Sequence, residues 1–280
     1  MMRLLSSEWE RLWKRKTSWL FLIGIPVILA GTAKYYLGHN AVVAPGSPEY
    51  TTAENFPVMA MVEQLILVFN VWALVLLTLS FTEEYRSGQL RMVMLRAYSR
   101  TQLFAAKWLA FVLMTALFFL VYLLAAAVVG RLAFPSSSEQ ILFYHDQAVA
   151  SGDMLRYTLG YYGLAFATIL GTSSVFLAAA VVSRTSTAAI GLGMGYLLTS
   201  LAYPVLFELA NRVLAWGLPG KLKFLSLTEI QYSGIAVMLG DAKALPSMEL
   251  GLWMTGILAG SVAVFFAGAC LLFTKPDRWA

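Results

Sequence analysis

The chain has very little charge and almost no cysteine. Charged residues make up 12% of its 280 residues and hydrophobic residues 59%, and the mean hydropathy is +0.71. So few charges could not cover the surface of a water-soluble domain of this size. The single cysteine, Cys270, excludes an internal disulfide. The composition therefore predicts a polytopic membrane protein.

The residue clusters and motifs of enzymes are missing as well. The two histidines, His39 and His145, lie in different loops without a cysteine nearby, whereas a metal site needs several convergent ligands. No G-x-x-x-x-G-K-[ST] phosphate loop occurs, so we expect no ATP hydrolysis by this chain alone. No basic stretch interleaves aromatic residues in the pattern of a nucleic-acid surface. We expect neither an enzyme, nor a directly bound metal or cofactor, nor a nucleic-acid partner.

Six apolar runs are present instead, each about long enough to cross a bilayer as a helix. They lie near residues 18–37, 57–81, 108–130, 157–182, 187–207 and 251–274. We predict one all-α transmembrane domain over residues 1–280. Its first 17 residues, 1–17, form an amphipathic helix at the membrane interface. Residues 30–32 resemble the small-residue cleavage site of a signal peptide, but we expect this long first run to be retained as a span.

Basic residues orient the spans. With the N-terminus in the cytoplasm, 13 of the 20 Lys and Arg lie in cytoplasmic segments. Ten of the 15 Asp and Glu lie on the external side, with Glu63, near the outer end of the second run, counted among them. This bias predicts that both termini are cytoplasmic. The longest external segment is then 208–250. Its stretch 224–240 has intermediate polarity, which fits an extracellular helix or a re-entrant hairpin equally well.

Three polar residues stand inside the second run, where hydrocarbon makes them costly. Glu63, Gln64 and Asn70 are candidates for a substrate path. The alternative for Glu63 is a place at the headgroup boundary or a hydrogen bond to a neighbouring helix. Tyrosines near the span ends, including Tyr36 and Tyr161, are explained by an interfacial aromatic belt without any ligand.

The predicted cytoplasmic loop 83–107 carries helix signals of its own. Gly88 can end the helix that leaves the membrane, residues 89–96 can form a short helix, and Ser99 with Gln102 can cap the third span. A short tethered helix is suited to a groove on another protein. The alternative is a basic loop that rests on anionic lipid.

This loop resembles the signature of the permease subunits of type-2 ABC exporters, and the resemblance extends to the whole chain through its interfacial helix, six spans and long last external segment. The matching residues are Glu84, Gly88, Leu95, Ser99, Arg100 and Lys107. Gln89 stands where the family usually has threonine, and Ala97 where it usually has proline.

The resemblance implies a multi-pass permease in a bacterial cell membrane, similar to short antibiotic-resistance and efflux permeases. It would pair with a second copy or a paralogue and rest on two ABC ATPase subunits, which would bind ATP and Mg²⁺. We expect export of a peptide, an antibiotic or another amphiphile. The implied ATPase-coupling residues are Glu84, Gly88, Arg91, Leu95, Arg96, Ser99, Arg100 and Lys107, with Arg184 in a second contact at the turn 183–186.

Two other functions remain open at this point. An ATP-independent secondary transporter or channel predicts paired charges within the spans, where Glu63 is nearly alone. A non-transporting membrane scaffold would share the basic loop with the permease.

Overall fold

A computed structural model describes residues 1–87, 99–145, 147–183, 185–214, 217–241 and 248–275. The helices are α1 (Met2–Lys14), α2 (Lys16–Asn40), α3 (Phe56–Gln64), α4 (Asn70–Ser87), α5 (Arg100–Ala133), α6 (Ser151–Val182), α7 (Ser186–Val213), α8 (Leu227–Glu229), α9 (Ile235–Leu239) and α10 (Met248–Thr274). The π-helical turns Leu65–Phe69 and Ile230–Gly234 join α3 to α4 and α8 to α9, and Gly220–Leu225 forms a 3₁₀ turn. Two short antiparallel strands, β1 (Glu139–Gln140) and β2 (Val149–Ala150), complete the described elements.

The prediction of an all-α protein with six long apolar helices is confirmed. Within the described residues, six helices are long and apolar enough to cross a membrane. Each predicted run lies inside one of them, and α3, the first π-helical turn and α4 together make the second. The helices extend beyond several of the runs, as α5 does by beginning at Arg100, because capped and polar first turns carry no hydropathy signal.

The second and fourth of these helices form the centre of the bundle. In the most apolar stretch of each, 67% of the residues are buried, compared with 17% to 33% in the other four. Helix α6 packs against α10, α4, α7 and α5. The outer helices turn large apolar side chains outward, such as Ile23 and Val27 of α2. Such faces suit contact with lipid, which is as apolar as they are.

Helix α1 is amphipathic and packs along α5. Leu4, Glu8 and Leu12 recur every four residues and are buried, whereas Trp9 and Trp13 are half-buried. At Arg15 the backbone becomes extended, which separates α1 from α2. Ser18 Oγ then donates a hydrogen bond to the Leu12 carbonyl at 2.7 Å, which satisfies one of the last carbonyls of α1.

Loops 41–55 and 134–150 pack together, and we call the end of the bundle where they lie the loop-rich end. The Ala53 amide donates to the Pro135 carbonyl at 3.0 Å, and Thr52 Oγ1 donates to Gln140 Oε1 at 2.9 Å. The opposite end, where α1 lies, is the N-terminal end. These hydrogen bonds join the two loops to each other.

Residues Gly220–Leu239 form a segment that inserts among the long helices from the loop-rich end. Ser226 Oγ donates to the carbonyl of Ser200, in the middle of α7, at 2.7 Å. The chain has returned by Asp241, whose amide donates to the Tyr144 carbonyl at 3.0 Å. The inserted segment therefore contacts the middle of α7 and not only its end. Of the two alternatives for stretch 224–240, the re-entrant hairpin predicts such a contact, and its depth in a bilayer stays a prediction.

The close approach of α5 to loop 41–55 gives a stability prediction. A Cβ atom on Gly130 would lie 2.8 Å from the Ala53 carbonyl oxygen and 3.2 Å from Phe56 Cβ. We expect Gly130→Ala to lower the free energy of unfolding by about 1–3 kcal/mol, because the backbone of the loop would have to move. Thermal unfolding in detergent measures this. Gly163→Ala is the matched control, since no atom would lie within 4 Å of the new Cβ and alanine favours helix. Equal unfolding temperatures for the two variants would contradict the prediction.

Candidate functional site

A buried ion pair lies at the N-terminal end and joins α1 to α5. Lys107 Nζ donates to Glu8 Oε2 at 2.9 Å and to the Ser80 carbonyl at 3.2 Å. The side chains of Lys107 and Glu8 are only 2% and 7% exposed. The short distance and low exposure make the pair a strong link, unlike an ion pair in water.

Two further contacts bind neighbouring residues to the end of α4. Arg15 Nη2 donates to the Leu79 carbonyl at 3.1 Å. The hydroxyls of Thr82 and Ser186 lie 2.6 Å apart, which joins α4 to the start of α7. The last described turns of α4 are therefore attached to the α1–α2 junction, to α5 and to α7.

The start of α5 is capped as its sequence predicts. Ser99 Oγ accepts a hydrogen bond from the Gln102 amide at 3.2 Å, and the Gln102 side chain accepts one from the Ser99 amide at 3.1 Å. Arg100 Nη1 donates to the carbonyl of Thr274, the last residue of α10, at 3.1 Å. Both described sides of loop 83–107 are thus bound to other helices, and we call this set of contacts the N-terminal frame.

The structure places three of the predicted coupling residues in the N-terminal frame, namely Ser99, Arg100 and Lys107. The backbone of Glu84 lies in α4. The other predicted coupling residues lie outside the described residues; they are Gly88, Arg91, Leu95, Arg96 and Arg184.

A second polar site lies at the centre of the bundle. Asn70 Nδ2 donates to Gln231 Oε1 at 2.7 Å, and Thr172 Oγ1 donates to Asn70 Oδ1 at 2.8 Å. All three side chains are fully buried. These bonds join α4, α6 and the inserted segment, and we call the three residues the amide cluster.

Each amide of this cluster lies at a π-helical turn. Asn70 follows the turn Leu65–Phe69 directly, and Gln231 belongs to the turn Ile230–Gly234. Asn70 Nδ2 also donates to the Ile66 carbonyl at 2.9 Å, so the side chain satisfies a backbone group within its own π-helical turn. π-Helical turns in α-helices often mark functional sites, because they change which side chains face a neighbour.

The three residues predicted as a substrate path have three different environments. Glu63 lies on the wall of a cavity of about 410 Å³ at the loop-rich end, where its Oε1 accepts a hydrogen bond from Tyr36 Oη at 3.1 Å. Gln64 Nε2 donates to Thr32 Oγ1 at 3.1 Å, and Asn70 lies in the amide cluster. The structure therefore does not bring them together in one site.

Three residues of these sites were missed by sequence reasoning. Glu8 had a readable signal, because a carboxylate midway between Leu4 and Leu12 on one helical face requires a partner if that face is buried. Thr172 and Gln231 had none, since the rotation of a helix in a bundle is set by packing against its neighbours.

The fold defines a multi-pass, all-α membrane protein with buried polar links between its helices. A family model described as "Protein of unknown function (DUF2705)" matches residues 21–278, and the chain therefore belongs to this family. No curated protein matches the chain.

The buried ion pair gives a prediction that a double-mutant cycle tests. We expect a coupling energy of about 1–3 kcal/mol between Glu8→Gln and Lys107→Met, because the two groups are in direct contact and hardly exposed. Thermal or chemical unfolding in detergent provides the four stabilities. The control cycle uses Glu10 and Lys14, whose side chains are 64% and 81% exposed, and should give at most about 0.5 kcal/mol. A coupling no larger than the control would contradict the assigned role of the pair.

The amide cluster gives a second prediction. Gln231→Leu should lower the free energy of unfolding by about 1–3 kcal/mol, because Asn70 loses a buried hydrogen-bonding partner. The double variant Asn70→Leu/Gln231→Leu should cost less than the sum of the two single variants. Tyr232→Phe, on an exposed side chain of the same segment, should stay within about 0.5 kcal/mol of the unchanged protein. Strictly additive losses would argue against the cluster.

Proposed function

We propose that this protein is the membrane permease subunit of an ATP-driven type-2 ABC transporter. It would lie in a bacterial cell membrane with both termini in the cytoplasm, beside a second copy or a paralogue. ATP and Mg²⁺ would be bound by two separate ATPase subunits, which supply the hydrolysis chemistry. The transported substrate would be a peptide, an antibiotic or another amphiphile, and the direction would be export.

The N-terminal frame is the observation that supports this proposal most. A loop that receives force from a partner is useful only if its ends cannot move independently of the bundle. The Lys107 bonds to Glu8 and Ser80, the Arg100 bond to Thr274 and the Ser99 cap meet that requirement around loop 83–107. Displacement of the loop would therefore displace α1, α4, α5 and α10 together.

The amide cluster extends this connection to the centre of the bundle. Helix α4 begins at Asn70, whose side chain is bonded to Thr172 of α6 and to Gln231 of the inserted segment. A movement of α4 would reach the loop-rich end through these bonds and through the π-helical turn that precedes Asn70. The ATPase would then bias the protein between two arrangements of its helices, as a ligand shifts a two-state equilibrium.

The experiment that tests the proposal is purification of the tagged protein from its host in mild detergent, with identification of co-purifying chains by mass spectrometry. We expect an ABC ATPase subunit in the unchanged sample. The Arg91→Glu/Arg96→Glu variant should lose it, because reversed charge on the loop would repel the surface that it contacts.

The matched control is Arg131→Glu/Arg212→Glu, which makes the same charge change at two exposed arginines of the other end. This control should retain the ATPase. Absence of any ATPase from the unchanged sample would overturn the proposal, and equal loss from both double variants would overturn the assignment of loop 83–107 as the docking site.

A further inference from the structure

The cavity at the loop-rich end has an acidic wall. Its lining residues include Glu63 and Glu49, and no lysine or arginine is among those that the structure describes. Glu49 Oε2 lies 3.6 Å from His39 Nε2, so that carboxylate has a neighbour able to carry positive charge. Glu63 has a hydroxyl as its hydrogen-bonding partner, Tyr36, and is itself exposed to the cavity. The electrostatic character of the cavity therefore attracts a cation.

Aromatic rings make up much of the remaining wall. Tyrosines of four separate regions line it: Tyr35 and Tyr36 from α2, Tyr144 from loop 134–150, Tyr157 and Tyr161 from α6, and Tyr232 from the inserted segment. Tyr35 and Tyr36 meet edge to face with their centroids 5.1 Å apart. Aromatic faces attract an organic cation through the ring quadrupole and tolerate its apolar substituents.

One hydroxyl in this wall is buried and unsatisfied. Tyr161 is 1% exposed, and no hydrogen-bonding partner for its Oη lies within reach among the described residues. By contrast, Tyr162 Oη beside it donates to the Pro57 carbonyl at 3.0 Å. A buried polar group without a partner is costly, and an acceptor that came within hydrogen-bonding distance of this hydroxyl would recover that free energy.

We propose that this cavity binds an amphiphilic organic cation, with its charge beside Glu63 and its apolar groups against the tyrosine rings. A volume of about 410 Å³ suits a drug-sized molecule. A metal ion or another small hydrated cation would leave the aromatic wall unused. An anion would meet two carboxylates and no described lysine or arginine.

That the cavity is a substrate site rests on the proposed function and narrows its substrate class. That the cavity binds a cation does not depend on the ATPase, because the cavity lies at the end of the bundle opposite the N-terminal frame. Recovery of an ATPase without cation binding would overturn this inference alone. Cation binding without a co-purifying ATPase would overturn the proposed function alone.

The test measures binding of radiolabelled tetraphenylphosphonium to the full-length protein, purified in non-ionic detergent, by equilibrium dialysis. We expect saturable binding at one site per chain. Glu63→Gln should raise the Kd about tenfold or more, because the amide still accepts from Tyr36 but carries no charge. Tyr35→Leu should raise it about threefold or more through loss of an aromatic face.

Matched controls separate charge from partition into detergent. Glu139→Gln removes an exposed carboxylate that does not line the cavity, and it should leave the Kd unchanged within about twofold. Tetraphenylborate has nearly the same shape with the opposite charge and should show no saturable binding. No saturable phosphonium binding, equal binding of both ions, or equal affinity of the unchanged protein and Glu63→Gln would each overturn the proposal.

Competition with a soluble short-chain phosphatidylcholine tests whether the natural cation is a free amphiphile or a lipid headgroup. If a free amphiphile is the natural ligand, the phospholipid should not displace tetraphenylphosphonium below its micellar concentration. Displacement at lower concentration would retain a cation site but overturn the free amphiphile in favour of a lipid headgroup.

Discussion

The attraction between the buried charges of Glu8 and Lys107 is the interaction on which the N-terminal end depends. Helix α1 does not cross the bundle, and its apolar side chains would fit the surface of a membrane as well as they fit α5. The ion pair favours the place against α5 over the membrane surface. The Lys107 side chain is only 2% exposed, and lipid tails could not replace the carboxylate of Glu8 as its partner. It also positions Lys107 to reach the carbonyl of Ser80, which brings the end of α4 into the same contact. The first helix is thereby an integral part of the bundle and of the support for loop 83–107.

The polar residues at the centre of the bundle and at its loop-rich end have two separable roles. The amide cluster is closed, since Asn70 and Gln231 bond to each other and Thr172 bonds to Asn70. The cavity is open, because Glu63 lies exposed on its wall, and the Tyr161 hydroxyl beside it has no described partner. The π-helical turn Leu65–Phe69 separates them along one helix, and it allows Glu63 to face the cavity while Asn70 faces α6. A closed site holds segments together, whereas an open one is available to a ligand.

Much of this architecture follows from the sequence, and the limits have physical causes. The length and hydropathy of the apolar runs are sufficient to predict the six long helices. The pair Ser99 and Gln102 is sufficient to predict the cap of α5. Both signals are local in sequence. The partners of Glu8 and Asn70 could not be predicted, since they lie 99 and 161 residues away and depend on how helices rotate. The positions of Tyr36 and Tyr161 near span ends predict only an interfacial aromatic belt. That they line one cavity together with Glu63 depends on how the helices pack, which the spacing of residues in the sequence does not determine.

The distances in sequence between these hydrogen-bonding partners also affect how the chain folds during its synthesis. At a synthesis rate of about 5–20 residues per second, Lys107 follows Glu8 after about 5–20 s, and Gln231 follows Asn70 after about 8–32 s. During that interval the second helix must reside in the insertion machinery or the bilayer with a polar amide at its middle. The bond from Asn70 to the Ile66 carbonyl lies within the same helix, so it can form as soon as that helix does. The nascent helix thus has one internal partner for its amide. The bonds to Thr172 and Gln231 form only after those later segments have been synthesised.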